Sequence, residues 1–331
     1  MQRLSVIIAN YNYADFVGAA IESALALAWP DVEVVVVDDG STDSSLAVIE
    51  RYRDRLTILA TENAGQREAM NRGFELTSGE VVIFLDSDDI LPPELPARLA
   101  AAWRPGVSKV QFQMQRVTAG GDLIGHPFPD YEPEPTAAQI SWWAFRTSAY
   151  PTPPGSGNAY ARWFLDLLMP IGDEVGEAAD SALLATAPFV GDVVSVRGVR
   201  IGYRQHGRND SNLVADGRRF AREVARARAR WRFARTHVGD AEVDEQPLFR
   251  SRELLQLRVA AEVFTPAHGE LPGDRPGRMA GDALGSLFQP GPEPWRRRLL
   301  ITAWCVATLA APRPLARRLV ISRYTARSGA R

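Results

Sequence analysis

Residues 86–89 read Asp-Ser-Asp-Asp and close an apolar run, VVIFL at 81–85. Capping a helix needs one side-chain acceptor, so this cluster exceeds that need. Clustered carboxylates repel and raise one another's pKa unless a cation neutralises them. Hard oxygen donors suit Mg2+ or Mn2+. Mg2+ usually takes one or two carboxylates and completes its shell with water and substrate phosphates. The cluster therefore predicts a divalent metal that holds a diphosphate. A second acidic strand end, Asp38-Asp39, follows VEVVVV at 32–37. Ligands of open parallel sheets bind outside the carboxyl ends of the strands, so both acidic ends are expected to face one crevice.

Three further stretches carry chemistry-bearing residues. GDEVGEAADSALLA (172–185) offers Asp173, Glu174, Glu177 and Asp180. An acid at the start of a helix is also favoured by the helix dipole. YRQHGRNDSN (203–212) carries His206 between Arg204 and Arg208; a lone histidine is by default structural. GSGNAY (155–160) contains Gly-x-Gly, but prolines surround it and no strand precedes it, so it is not a dinucleotide fingerprint.

These residues need a scaffold. Apolar runs at 4–9, 32–37, 55–61 and 81–86 read as strands, separated by helical patterns at 15–27, after STDSS, and at 65–79. Phe16, Ala19, Ala20, Ser23, Ala24 and Leu27 are expected on one helix face. Asp43 or Ser41 is the expected N-cap of the second helix, and Gly79 the close of the third. Continuous apolar strands alternating with helices predict a parallel sheet covered on both faces. Residues 107–125 read as strand, Gly-Gly-Asp turn, strand. Residues 126–157 form a long Pro- and Gly-rich crossing. Helices are expected at 158–168 and 178–188, and a strand pair, or a strand and an extended segment, at 193–207. Beyond 215 the chain is helical and rich in arginine. The division expected is 1–212 for the catalytic domain and 213–331 for a helical, Arg-rich region.

Composition narrows the class. The chain has 331 residues and a formal net charge of −2, which argues against a dedicated nucleic-acid binder. Its one cysteine, Cys305, cannot form an internal disulfide, so a reducing compartment is expected. Lys109 is the only lysine and reads as a compositional bias. The apolar run at 4–9 is too short for a signal-peptide core or a membrane span. The expected location is the cytoplasm, with peripheral attachment at the inner face of the cell membrane as an open alternative.

LSVIIANYNYADFVGAAIESALA (4–26), VEVVVVDDGSTDSS (32–45) and NAGQREAMNRGFELTSGEVVIFLDSDD (63–89) together resemble the family-2 glycosyltransferases. The likeness covers residues 4–100 and extends more weakly to about 212. It implies an α/β chain of the GT-A nucleotide-diphospho-sugar transferase fold: a mostly parallel sheet flanked by helices, here with a helical C-terminal extension. It also implies an inverting, metal-dependent glycosyltransferase with Mg2+ or Mn2+ as cofactor. The donor is expected to be a UDP-sugar, the acceptor a glycan or a lipid-linked acceptor, and the setting polysaccharide biosynthesis in the cell envelope.

Residue by residue, the resemblance makes Asp39 the partner of the nucleotide base, with Tyr11 against the ring face. Asn63 to Arg67 becomes the loop beside the nucleotide. Many relatives read Ala-Arg-Asn where this chain has Met70 before Asn71, and Arg67 is the candidate to supply the missing contact. Asp86-Ser87-Asp88 matches the Asp-x-Asp signature. Asp88 is then the direct metal ligand, and Asp86 contacts ribose or a metal-bound water. Asp89 is expected only to cap the next segment. Asp180 is the expected general base, with Glu177 the next candidate for that role and otherwise an acceptor-side residue. His206 becomes a third contact to metal or diphosphate, and Asn158 a ligand of an acceptor hydroxyl.

The C-terminal run LLITAWCVATLAAP (299–312) is too short to span a bilayer and has arginines on both sides. It reads either as a buried helix or as a basic-flanked segment on an anionic membrane surface through 296–321. Two other functions are weighed. A nucleotidyltransferase would want a Gly-rich, basic loop after the first strand, and ANYNYADFVG (9–18) lacks both features. A non-catalytic nucleotide-sugar-binding protein would be expected to lose Asp88 or every candidate base, and neither is lost.

Overall fold

The computed structural model describes residues 3–175, 179–206, 217–266 and 270–329. They form two compact units, Met1–Gln139 with Pro151–His206, and Ile140–Tyr150 with Gly207–Arg331.

The first unit is built on an eight-stranded sheet. Its elements begin with β1 (Leu4–Asn10), α1 (Val17–Leu25), β2 (Val32–Asp38), α2 (Ser45–Ile49) and β3 (Thr57–Ala60). There follow α3 (Gln66–Glu75), β4 (Val81–Asp86), α4 (Leu95–Ala102), β5 (Val107–Val117) and β6 (Leu123–Phe128). Helix α5 (Ala137–Thr147) lies mostly in the second unit. The chain returns with β7 (Asn158–Ala161), α6 (Arg162–Leu165), α7 (Ala179–Val190) and β8 (Asp192–Arg204).

The strand order is β3-β2-β1-β4-β7-β5-β6, with β8 paired to β5. The four strands read as a parallel sheet are parallel: β1 runs between β2 and β4, and β3 lies beyond β2. Both faces of β1, β2 and β4 are covered, which is why these strands are mostly apolar, whereas β3 at the edge is only partly buried. Leu4, Val6 and Ile8 join Val17, Ala20, Ile21 and Ala24 of α1 in one core, while Val35, Val37 and Ala69 of α3 pack on the opposite side. The buried face of α1 thus centres on Val17, Ala20, Ile21 and Ala24, one position round from the expected stripe.

Four elements depart from the sequence reading, the first being α5, a helix inside the stretch read as a Pro- and Gly-rich crossing. The helix expected at 158–168 is a strand, β7, followed by one turn, because residues 158–161 fill the gap between β4 and β5 as an antiparallel partner of both. Residues 192–204 are one strand with two register shifts against β5, not a strand pair. Ser44 occupies the N-cap of α2, with Asp43 accepting from the Ser45 amide at 2.8 Å.

β5 presents Val110, Phe112 and Met114 to the core. The intervening Lys109, Gln111, Gln113 and Gln115 are also buried. They are polar because they hold the Pro-rich crossing. Lys109 donates to Thr152 and Asn158, Gln111 to the Pro151 carbonyl, Gln113 to that of Pro129, and Gln115 to that of Ile124. Lys109, read as a compositional accident, is therefore a structural residue.

The second unit is helical: α8 (Arg218–His237), α9 (Gln246–Arg250), α10 (Arg252–Phe264), α11 (Pro276–Gly285), α12 (Trp295–Ala310) and α13 (Arg313–Gly329). Its arginines are partly internal. Arg258 is buried and forked onto Asp274, with Asp282 as a further partner. Such a bidentate pairing offsets the burial of the charge, although Nη1 makes no hydrogen bond among the described residues.

Candidate active site

The C-terminal ends of β1, β2 and β4 bring the acidic motifs to one edge of the sheet. At the end of β2 the two acids have different work. Asp38 is buried and accepts from Asn10 at 2.8 Å and from the Ser41 hydroxyl at 2.7 Å. Gly40 makes the turn with φ of 74°, and a β-carbon there would lie 2.7 Å from the Asn63 amide nitrogen. Only glycine suits both that backbone and that approach. Asp39 accepts from the backbone amides of Ala64 and Gly65, one on each oxygen, both at 2.8 Å. Asn63 donates to the Asp39 carbonyl at 3.0 Å. Asp39 therefore orders the 63–65 turn, and one lone pair remains on each carboxylate oxygen. Tyr11, at the exit of β1, is half exposed.

At the end of β4 the carboxylates crowd. Burial, with the charges of Asp88 and Asp180 adding to it, pushes Asp86 up to about 7. Gln66 of α3 donates to Asp86 Oδ1 at 3.0 Å, and the Asp86 amide donates to the Ser156 hydroxyl at 3.0 Å. Asp180, in the first turn of α7, approaches Asp86 above Gly155. A β-carbon on Gly155 would lie 3.4 Å from Asp86 Oδ2 and 3.6 Å from Asp180 Oδ2. Ser87 is buried in the turn. Asp89 is buried too, and burial next to Asp86 and Asp88 raises it well above the usual carboxylate range. Its Oδ1 accepts from the Arg204 amide, while Oδ2 makes no hydrogen bond among the described residues. Asp89 is thus part of the cluster rather than a cap. Burial, with the charges of Asp89, Asp86 and Asp88 adding to it, pushes the Tyr203 phenol up to about 12.

His206 follows β8 and lies 2.9 Å from Asp88 through Nε2. Its ring stacks on Phe16 at 4.6 Å and meets the edge of Tyr13 at 5.5 Å. Arg204 donates to the carbonyls of Asp88 and Ala119, placing positive charge beside the acids.

The donors suit a divalent cation. Two ligands bound at about 2.1 Å in adjacent octahedral corners lie about 3 Å apart, as Asp88 Oδ2 and His206 Nε2 do. Burial opposes the ionisation of Asp86 and Asp89, and a cation beside them would favour their charged form. Among the described residues no three His, Cys, Asp or Glu side chains form a closed site. An Mg2+ or Mn2+ ion that completes its shell with water and phosphate needs none.

Two expected ligands are committed elsewhere. Asn158 is buried: its Oδ1 accepts from Lys109, and its amide nitrogen donates to the carbonyls of Pro153, Pro154 and Gly155. It shapes the loop under Asp86 and is not an acceptor ligand. Arg67 turns to the Ile171 carbonyl and ion-pairs with Asp173, because the 171–173 segment packs on α3. Asn71 fixes the same segment through both backbone groups of Ile171. Glu177 lies outside the described residues. The sequence gives no site role of their own to Gln66, Gly155, Ser156 and Tyr13, and places Phe16 only on a helix face. The Gly-Gln and Gly-Ser-Gly pairs were visible signals without an assigned partner.

Residues 5–147 match Glycosyl transferase family 2. An uncharacterised glycosyltransferase of Nostoc sp. is 33% identical over 218 residues, 64% of this chain and 68% of that protein. The poly(ribitol-phosphate) beta-N-acetylglucosaminyltransferase TarS of Staphylococcus aureus is 36% identical over 142 residues, 41% of this chain and 25% of TarS. TarS residues 1–349 in complex with UDP-GlcNAc share the fold, with a TM-score of 0.54 at 17% identity over 99% of this chain and 92% of that one. A mannosyltransferase from Pyrobaculum calidifontis in complex with GDP-Man and Mn2+ gives a TM-score of 0.54 at 19% identity, over 98% and 86%.

Proposed function

The chain belongs to glycosyl transferase family 2, is a glycosyltransferase of GT-A fold, and from that premise we propose a metal-dependent, inverting transfer from a UDP-sugar. The observation that carries this reading is the crowding of Asp86, Asp88 and Asp180 at one sheet edge, with His206 bonded to Asp88.

Asp180 acts as general base. It withdraws the proton of the acceptor hydroxyl as that oxygen attacks the sugar. Its place opposite Asp86 supports this, since a shared cleft keeps the acceptor beside the donor. Asp88 and His206 would hold Mg2+ or Mn2+, which when bound stabilises the departing diphosphate as a Lewis acid. Phe16 and Tyr13 fix the imidazole plane. Asp86, with Gln66, orients the ribose. Asp39 and the turn it orders take the base, and Tyr11 lies against the ring. The acceptor is a glycan or a lipid-linked acceptor, which places the work in cell-envelope polysaccharide synthesis at the cytoplasmic face of the membrane.

Calorimetry with UDP and Mn2+ tests the reading. Metal-dependent UDP binding that Asp88→Ala abolishes is expected. Binding indifferent to metal and to that substitution would remove the reading. The nucleotidyltransferase alternative would require pyrophosphate release from a nucleoside triphosphate.

A further inference from the structure

Helix α12 has two apolar faces. Ile301, Thr302, Cys305 and Thr308 are buried, and Ile301 and Cys305 pack with Leu255, Val259 and Met279. The opposite face carries Leu299, Leu300 and Val306 in the open, with Leu300 68% exposed. Alanines occupy its other outward positions, Ala303, Ala307 and Ala310. Phe288, 80% exposed, and Trp295 extend this surface, their rings 6.2 Å apart. One side of the helix is therefore core, as the buried-helix reading expects, and the other is an exposed apolar surface. Contiguous exposed apolar patches of this kind mark interaction sites.

Charge identifies the partner. From Pro294 to the C-terminus the chain has nine arginines and no Asp or Glu. Some of those arginines are structural: Arg298 donates to the carbonyls of Gln289, Gly291 and Glu293, and Arg323 to Gln256. Arg296, Arg297, Arg313, Arg317 and Arg318 are exposed at the ends of the apolar face and along α13. Glu293, between Phe288 and Trp295, is held by Arg252; an apolar strip framed by arginine, with no other acid from Phe288 onward, fits the boundary of a bilayer with anionic headgroups. Among the described residues no helix is long and apolar enough to cross a membrane, so the contact is peripheral.

We propose that α12, with Phe288 and Trp295, docks on the surface of an anionic lipid bilayer. The proposal rests on the second unit alone, and it gives the lipid-linked acceptor of the proposed reaction a surface on which to be met.

The test is co-sedimentation of the full chain with phosphatidylcholine vesicles, with and without phosphatidylglycerol, in the absence of any nucleotide sugar. Failure here therefore says nothing about the proposed reaction. Binding to the mixed vesicles that weakens with added salt is expected. Leu300→Glu should weaken it about ten-fold or more, since a charge then enters the apolar strip. Arg296→Glu with Arg318→Glu should do likewise, an arginine near an anionic surface contributing about five-fold. Absence of binding to mixed vesicles, or binding that both variants leave intact, overturns the proposal. So does a dimer in analytical ultracentrifugation that Leu300→Glu dissolves, because a second copy would then cover the face.

Discussion

Asp86 and Asp180 meet over the α-carbon of Gly155, which has no side chain to separate them. A methyl group there would touch both carboxylates at ordinary van der Waals distance without straining the backbone. Gly155→Ala is therefore expected to fold normally and to lose about 10- to 100-fold in kcat/KM, because the methyl fills space beside both carboxylates that the proposed substrates need for close approach. Thermal melting beside steady-state kinetics checks this; full activity in the variant would detach Gly155 from the site.

Asp180→Asn keeps the shape and removes the base. Turnover should fall about 10²- to 10⁴-fold, with UDP affinity little changed. An intact rate would mean that the proton leaves by another route.

His206→Ala removes one of the two groups placed to hold the cation. UDP binding in Mn2+ should weaken about 10-fold or more, while binding without metal stays as it was. Chelation of the wild-type protein should give the same affinity as the variant. Isothermal titration with and without EDTA distinguishes the cases.

Asp39→Asn puts an amide nitrogen against one of the two backbone N–H groups that the carboxylate now accepts. The mismatch costs about 1–3 kcal/mol at a buried position. Looser nucleotide binding and lower stability toward urea are expected together; a loss of affinity alone would assign Asp39 to the base and not to the turn.

Lys109 should leave its mark on the alkaline limb of the stability curve. Burial holds its amine well below the usual 10.5. Between the folded value and 10.5 the unfolded chain binds more protons than the native one, so stability rises with pH there. Lys109→Met should flatten that rise in urea unfolding measured across the alkaline range. An unchanged slope would show that the amine titrates normally.

Much of the site was legible because its signals are local. A run such as VVIFL has to be buried on both faces, and acid directly after it has to stand at the sheet edge. The roles of Asn158, Arg67 and Lys109 were not legible. Each sits in a polar context that reads as ligand or as surface, yet each is spent on backbone carbonyls, hydroxyls or a carboxylate brought near by packing. Asp89 was likewise read as a cap until burial put it among the other acids.

By itself the sequence determined the parallel half of the sheet, the acidic edge and the basic, apolar C-terminal stretch, since these follow from periodicity and composition within short windows. Only the tertiary structure decided that His206 reaches Asp88, that Gly155 clears the space between Asp86 and Asp180, and that α12 buries one face and exposes the other. Those facts depend on which distant segments share a boundary, and a side chain's partners are set by that packing rather than by its neighbours along the chain.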